Sequence, residues 1–159
     1  MGSAVTATPA HAAGGPRGHD GSSHQKSVDW RRAKNRGARF VYVKATESHT
    51  YKNPYFRQQY NRSRSAGIIR GAYHFALPHK SSGRTQAAYF VRNGGTGRHR
   101  GFAADHALWL PRYGSSPGPL PAGWSYPAFW QYADSGRLPG DQNLFNGSTA
   151  QLKRFARGR

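Results

Sequence analysis

From Trp30 to Arg92 the chain alternates helix-like and strand-like segments without interruption, and this rhythm limits the available folds more than any other feature. Asp29 or Ser27 can cap a short helix through Trp30 to Arg36, which Gly37 stops. Phe40 to Ala45 (FVYVKA) is β-branched and aromatic between Gly37 and the polar run Thr46 to Thr50, and predicts a strand. Pro54 opens a second helix with Tyr55, Phe56, Gln59 and Tyr60 at helical spacing, ending at Ala66-Gly67. Ile68 to Phe75 predicts the next strand. Ser82 or Gly83 then starts a helix to Arg92, expected to bury Ala87, Tyr89, Phe90 and Val91. Strict alternation of this kind implies βαβ units around a parallel sheet, an α/β fold.

After Asn93-Gly94-Gly95 the rhythm breaks into a polar, glycine-rich stretch. Ala107 to Leu110 and Ala128 to Tyr132 predict strands, with a Pro/Gly/Ser loop between them. Asp141 to Gly147 predicts a loop, and Ser148 caps a last helix from Thr149 to Arg157. The first 17 residues are small and polar, an expected flexible tail ahead of a single domain over 18–159. Ala10-His11-Ala12 has the small-x-small form of an export cleavage site, without the apolar stretch that should precede it. It points to an extracellular location.

Composition removes several classes. With no Cys there can be no disulfide, thiolate zinc site or Cys nucleophile. No apolar run approaches the roughly 18 residues of a membrane-spanning helix. The eight His show no His-x-x-x-His spacing, so no metal site is expected, and no cofactor motif is present. Asn93-Gly94-Gly95-Thr96-Gly97 lacks the Gly-Lys-Ser/Thr ending of a phosphate loop. The formal charge of +18 calls for an anionic partner, whether nucleic acid, anionic lipid or an acidic cell-wall polymer.

Against 24 Lys and Arg stand six acids, and three of them, Asp20, Glu47 and Asp141, follow strand-like segments. Barrel-type glycosidases build their active sites from the loops after their strands and need two carboxyl groups about one bond. The plainer reading is that each acid caps a helix or pairs with an Arg. Surrounding positive charge is expected to hold these carboxyls at low pKa, the wrong direction for a proton donor.

Five segments in order resemble the family 25 glycoside hydrolases, lysozymes (N-acetylmuramidases) with a β/α barrel. They are His19-Asp20-Gly21-Ser22-Ser23-His24-Gln25 through Trp30, Tyr42 to Glu47 (YVKATE), Gly67 to Phe75 (GIIRGAYHF), Phe129 to Tyr132 (FWQY) and Asp141 to Gly147 (DQNLFNG). The resemblance implies a TIM-like barrel, no cofactor, peptidoglycan as partner and cleavage of the N-acetylmuramic acid to N-acetylglucosamine β-1,4 bond. It makes Asp20, Glu47 and Asp141 the acids of the site and Tyr73, Trp109, Trp130 and Gln131 its saccharide-binding residues. Each of those aromatics is otherwise ordinary barrel core, and His74 reads as a core histidine.

One part of the family pattern is absent. The fourth strand and its Asp-x-Glu pair have no counterpart, and Asp105 sits in another context. Strands four to six are expected to be missing, with a junction near 95–104. About 140 residues remain beyond the tail, against roughly 200 or more for a full barrel. Three readings follow: a muramidase whose saccharide-binding half survives, a catalytically silent wall-saccharide binder, and a nonspecific polyanion binder. The basic residues are scattered and no nucleic-acid motif occurs, so no specific nucleic-acid partner is expected. Two unpaired strand edges would close as a smaller barrel, pair with a second copy, or leave the chain unstable.

Overall fold

The first strand begins inside the expected tail. The computed structural model describes residues 14–94, 108–120 and 125–157. In it β1 runs Arg17–Gly21, so Arg17 and Gly18 are strand. Pairing on both sides explains this: β1 lies parallel to β2 (Phe40–Glu47) and antiparallel to β7 (Asp141–Phe145). The junction expected near 95–104 lies outside the described residues.

The alternation up to Arg92 is present. Helix α1 (Trp30–Asn35) is capped by Asp29, whose carboxylate accepts from the Arg32 amide at 3.0 Å. A two-residue strand, β3 (Tyr51–Lys52), turns back on the end of β2. Helix α2 (Phe56–Ser65) leads to β4 (Ile69–Phe75), parallel to β2, and α3 (Gly83–Arg92) follows under a Ser82 cap.

Two expectations fail. Helix α3 does not bury its apolar set: Val91 is 43% exposed and Ala87 is exposed, whereas Gln86 is buried. Its amide accepts from the Leu77 N–H at 3.0 Å and donates to the Leu77 and Ser81 carbonyls at 2.9 Å. Closing the β4–α3 loop from inside therefore sets how the helix is turned. Asp141–Phe145 is strand, not loop, because β1 and β6 (Phe129–Ala133) flank it and satisfy a backbone of low β propensity. The sheet is consequently mixed rather than parallel.

Strand β5 (Trp109–Pro111) adds parallel to β6, giving the order β4-β2-β1-β7-β6-β5. Among the described residues, β4 pairs with no strand but β2, and β5 with none but β6. The sheet curls until Tyr73 of β4 meets Trp109 of β5, ring centroids 5.5 Å apart. On the convex face Val41, Val43 and Ala45 pack beneath Trp30, Ala33, Phe56 and Ile68. On the concave face Phe40, Phe129 and Phe145 pack on Leu152 of α4 (Thr149–Ala156), which closes the end where the parallel strands start. Gly18 and Gly71 make room there, since a Cβ would stand 2.6 Å from the Phe40 ring or 2.5 Å from that of Tyr42.

Candidate active site

Strands β1 and β2 finish at the end opposite α4, and antiparallel β7 begins there. Asp20 near the end of β1, Glu47 at the end of β2 and Asp141 at the start of β7 thus reach one mouth along strands of opposite direction. Register sets Asp20 directly opposite Asp141. One amide joins them: Gln131 Nε2 donates to Asp20 Oδ2 at 2.7 Å and to Asp141 Oδ2 at 2.9 Å. The two oxygens are therefore closer than those lengths laid end to end.

A second amide fixes the same carboxylate. Asn143 Nδ2 donates to Asp20 Oδ2 at 2.7 Å, while its Oδ1 accepts from Trp109 Nε1 at 2.8 Å. The indole thereby determines which end of the Asn143 amide meets Asp20. Gln131 and Asn143 are buried, so the pair of amides is a rigid frame rather than a solvated contact.

The carboxyls do not titrate as the net charge suggests. Burial pushes Asp20 up to about 6, against the lowering effect of its two amide donors, and the nearby Asp141 adds to the rise. Burial also raises Asp141, with help from the charge of Asp134, while a Tyr113 hydrogen bond pulls the other way. The expectation of depressed pKa values is overturned for a local reason. Among the described residues no cation acts on either carboxyl, and Lys44, which also lines the cavity, is paired to Glu47 at 2.8 Å. Desolvation at 6% exposure outweighs a distant, water-screened surplus of Arg.

A cavity of about 490 Å³ opens on this frame. Asp20, Asp141, Tyr73, Trp109 and Gln131 line it. Burial together with the three acids raises the Tyr73 hydroxyl far above its usual range, so it stays a neutral donor. Glu47 and Trp130 are not in the lining. Glu47 stands beside the mouth, its side chain 32% exposed, and acts on it through Lys44. Trp130 falls between the inward Phe129 and Gln131 in the two-residue period of β6, and its Nε1 donates to the Arg112 carbonyl at 2.7 Å.

His74 is a wall residue, held by Thr46 Oγ1 at 2.8 Å and Gln86 Oε1 at 3.2 Å. Among the described residues no group of three His, Cys, Asp or Glu is placed to hold a metal.

Reading the sequence missed Lys44, His24, Gln25, Tyr113 and Asn143, the first four lining the cavity and the last framing Asp20. Asn143 was detectable, since it and Asp141 share one strand face at spacing two; taking the segment for a loop hid this. Tyr113 lies in a Pro/Gly/Ser loop that carries no periodic signal.

The order of these segments matches a known pattern. Residues 19–101 fit the sequence model for glycosyl hydrolases family 25. An N,O-diacetylmuramidase of Arthroderma benhamiae is 34% identical, with 99% of this chain and 94% of that protein covered. The chain belongs to glycosyl hydrolases family 25. Lysozyme M1 of Streptomyces globisporus is 32% identical over 89% of this chain and 71% of its own length. A family GH25 lysozyme from Aspergillus fumigatus superposes with TM-score 0.83 at 31% identity, covering 90% of this chain and 99% of that one. Family 25 is a glycosidase family, so the chain is related to enzymes that need two carboxyl groups. The Arthroderma alignment runs over 223 positions against a chain of 159 residues, which leaves at least 64 positions of this family 25 relative with no counterpart.

Proposed function

We propose that this chain is a peptidoglycan-degrading muramidase that cleaves the β-1,4 bond between N-acetylmuramic acid and N-acetylglucosamine. Asp20 serves as the acid that protonates the leaving oxygen, and Asp141 as the carboxylate that stabilises the sugar cation. Gln131 and Asn143 hold both groups in place. Tyr73 and Trp109 offer aromatic faces to the sugar rings, and Tyr73 its hydroxyl. Glu47 keeps Lys44 at the rim, and Trp130 takes no part in holding the sugar. The observation that carries this reading is the Asp20–Gln131–Asp141 bridge in the cavity, with Asp20 raised to about 6.

In the same reading the domain expected over 18–159, extended by Arg17 of β1, is a shortened TIM-like barrel without its central βα units. The alignment that outruns the chain by at least 64 of 223 positions supports this, as do the strands β4 and β5 that do not pair with each other. The substrate places the protein outside the cell, and no helix among the described residues is long and apolar enough to cross a membrane.

Reducing-end release from bacterial cell walls, followed between pH 4 and 8, tests the activity. Release should decline as pH rises through about 6, where Asp20 gives up its proton. Undiminished turnover in Asp141→Asn would sink the two-carboxyl assignment. A wall-saccharide binder without turnover is the second reading, favoured by the absence of any Asp-x-Glu pair in the chain. Retention on walls at high salt with no reducing ends released would decide for it.

A further inference from the structure

The five carboxylate residues among the described residues share one end of the molecule. Asp20, Glu47 and Asp141 are at the mouth, Asp29 caps α1 just beyond β1, and Asp134 follows β6 close to Asp141. The opposite base, where β1, β2, β4 and β6 start, carries none of them. The cations there stand apart from these acids.

Arg17 and Arg39 enter β1 and β2 side by side, with the Arg39 amide donating to the Arg17 carbonyl at 2.8 Å. Lys34 near the end of α1 donates to the Gly67 carbonyl at 2.7 Å; burial lowers its pKa, and the nearby charges of Arg39 and Lys153 add to the lowering. Helix α4 plugs the base with Leu152 and leaves Lys153, Arg154 and Arg157 exposed. Among the described residues the one salt bridge, Lys44 to Glu47, lies at the mouth.

Cations in the last turn of a helix offset the partial negative charge of its C-terminus. That covers Lys34, Lys153 and Arg154. It does not cover Arg17 and Arg39 at strand starts, nor like charges close together with no acid among the described residues beside them. Self-repulsion of this kind persists where an anion relieves it.

We propose that the base formed by Arg17, Lys34, Arg39, Lys153, Arg154 and Arg157 is a docking surface for a phosphodiester-linked polyol polymer of the cell wall, held on the side away from the cleft. Arginine outnumbers lysine in this set, and its planar fork pairs with phosphate through two hydrogen bonds. These cations come from two strand starts and two helices rather than from one helix face, which suits a flexible chain better than a duplex groove. Choosing a wall polymer rests on the muramidase reading; the surface itself does not. Docking through the base leaves the mouth free and keeps the cleft at high local concentration near glycan.

The test uses the full chain, immobilised poly(glycerol phosphate), and duplex DNA at equal phosphate content, across a salt series. One variant carries Arg39→Gln, Lys153→Gln and Arg157→Gln at the base. Its control carries Arg57→Gln, Lys80→Gln and Arg84→Gln, exposed residues at the mouth side of α2 and α3, and loses the same three charges. The base variant should bind poly(glycerol phosphate) at least about tenfold more weakly, with a salt dependence shallower by about 2 in log–log slope. The control should stay within about twofold of the parent. Equal losses in both variants would reduce the effect to net charge and overturn the proposal. So would DNA bound by the parent as tightly as the polymer. Because binding is read without hydrolysis, base-dependent retention by a chain that releases no reducing ends would leave this surface standing and defeat only the proposed activity.

Discussion

His19 and Asp20 are consecutive on β1 and face opposite sides of the curled sheet. His19 points to the convex side, 1% exposed, stacked on Trp30 at 5.6 Å between ring centroids. Neither of its ring nitrogens has a hydrogen-bond partner among the described residues, and burial pulls its pKa down to about 4. Asp20 points to the concave side, almost as buried, but held by two amides and open to the cavity; burial pushes it up to about 6. Desolvation drives both toward the neutral form. Access and oriented partners make only one of them usable for chemistry, so a shifted pKa alone does not identify a site.

The sharpest way to break this contrast is Asp20→Asn. Reducing-end release should fall about 100-fold or more, while the variant should be no less stable than the parent at pH 7, since the replaced group keeps its shape and a buried carboxyl no longer has to ionise. An active Asp20→Asn variant would place the acid elsewhere. Next comes the convex face. Ile68→Ala, at a 3% exposed position packed among Trp30, Val41 and Phe56, should cost about 2–4 kcal/mol in denaturant unfolding. It should leave the pH profile of activity where it was, unlike any change at Gln131.

The two neighbours also oppose each other in pH-dependent stability. His19, depressed from 6.5 to about 4, contributes stability that is present above 6.5 and is lost as pH falls through about 4. Asp20, raised from 3.8 to about 6, contributes stability that is full below 3.8 and is lost as pH rises through about 6. Each amounts to something on the order of 3 kcal/mol, so between pH 6 and 4 they largely cancel in the parent chain. Asp20→Asn should therefore become acid-labile over that window, and His19→Leu should gain stability on acidification. Melting curves at pH 4, 5, 6 and 7 read this directly; two variants with parallel pH dependence would refute it. The smallest effect belongs to the rim. Lys44→Met should shift unfolding by less than about 1 kcal/mol, because Glu47 can turn its partly exposed carboxylate to water.

Much of the convex half was legible in the sequence. FVYVKA and IIRGAYHF form strands, and Asp29, Ser82 and Ser148 cap the helices expected of them, because these signals are local. The concave half was less legible. DQNLF has a polar composition that suggests a loop, and only flanking by β1 and β6 makes it strand. Ala87 and Val91 carried a helical period whose burial depended on Gln86 being drawn inward by Leu77 and Ser81.

By itself the sequence established the alternation of elements, the scarcity of acids and the motif order that places the chain among the family 25 hydrolases. Tertiary structure alone decided that Asp20 and Asp141 share one amide, that Glu47 stands aside with Lys44, and that Trp130 faces away. It also reversed the expected direction of the pKa shifts of Asp20 and Asp141. Net charge sums over the whole chain and is screened by water, whereas a carboxyl responds to the few ångströms around it, and those are assembled only when distant strands meet.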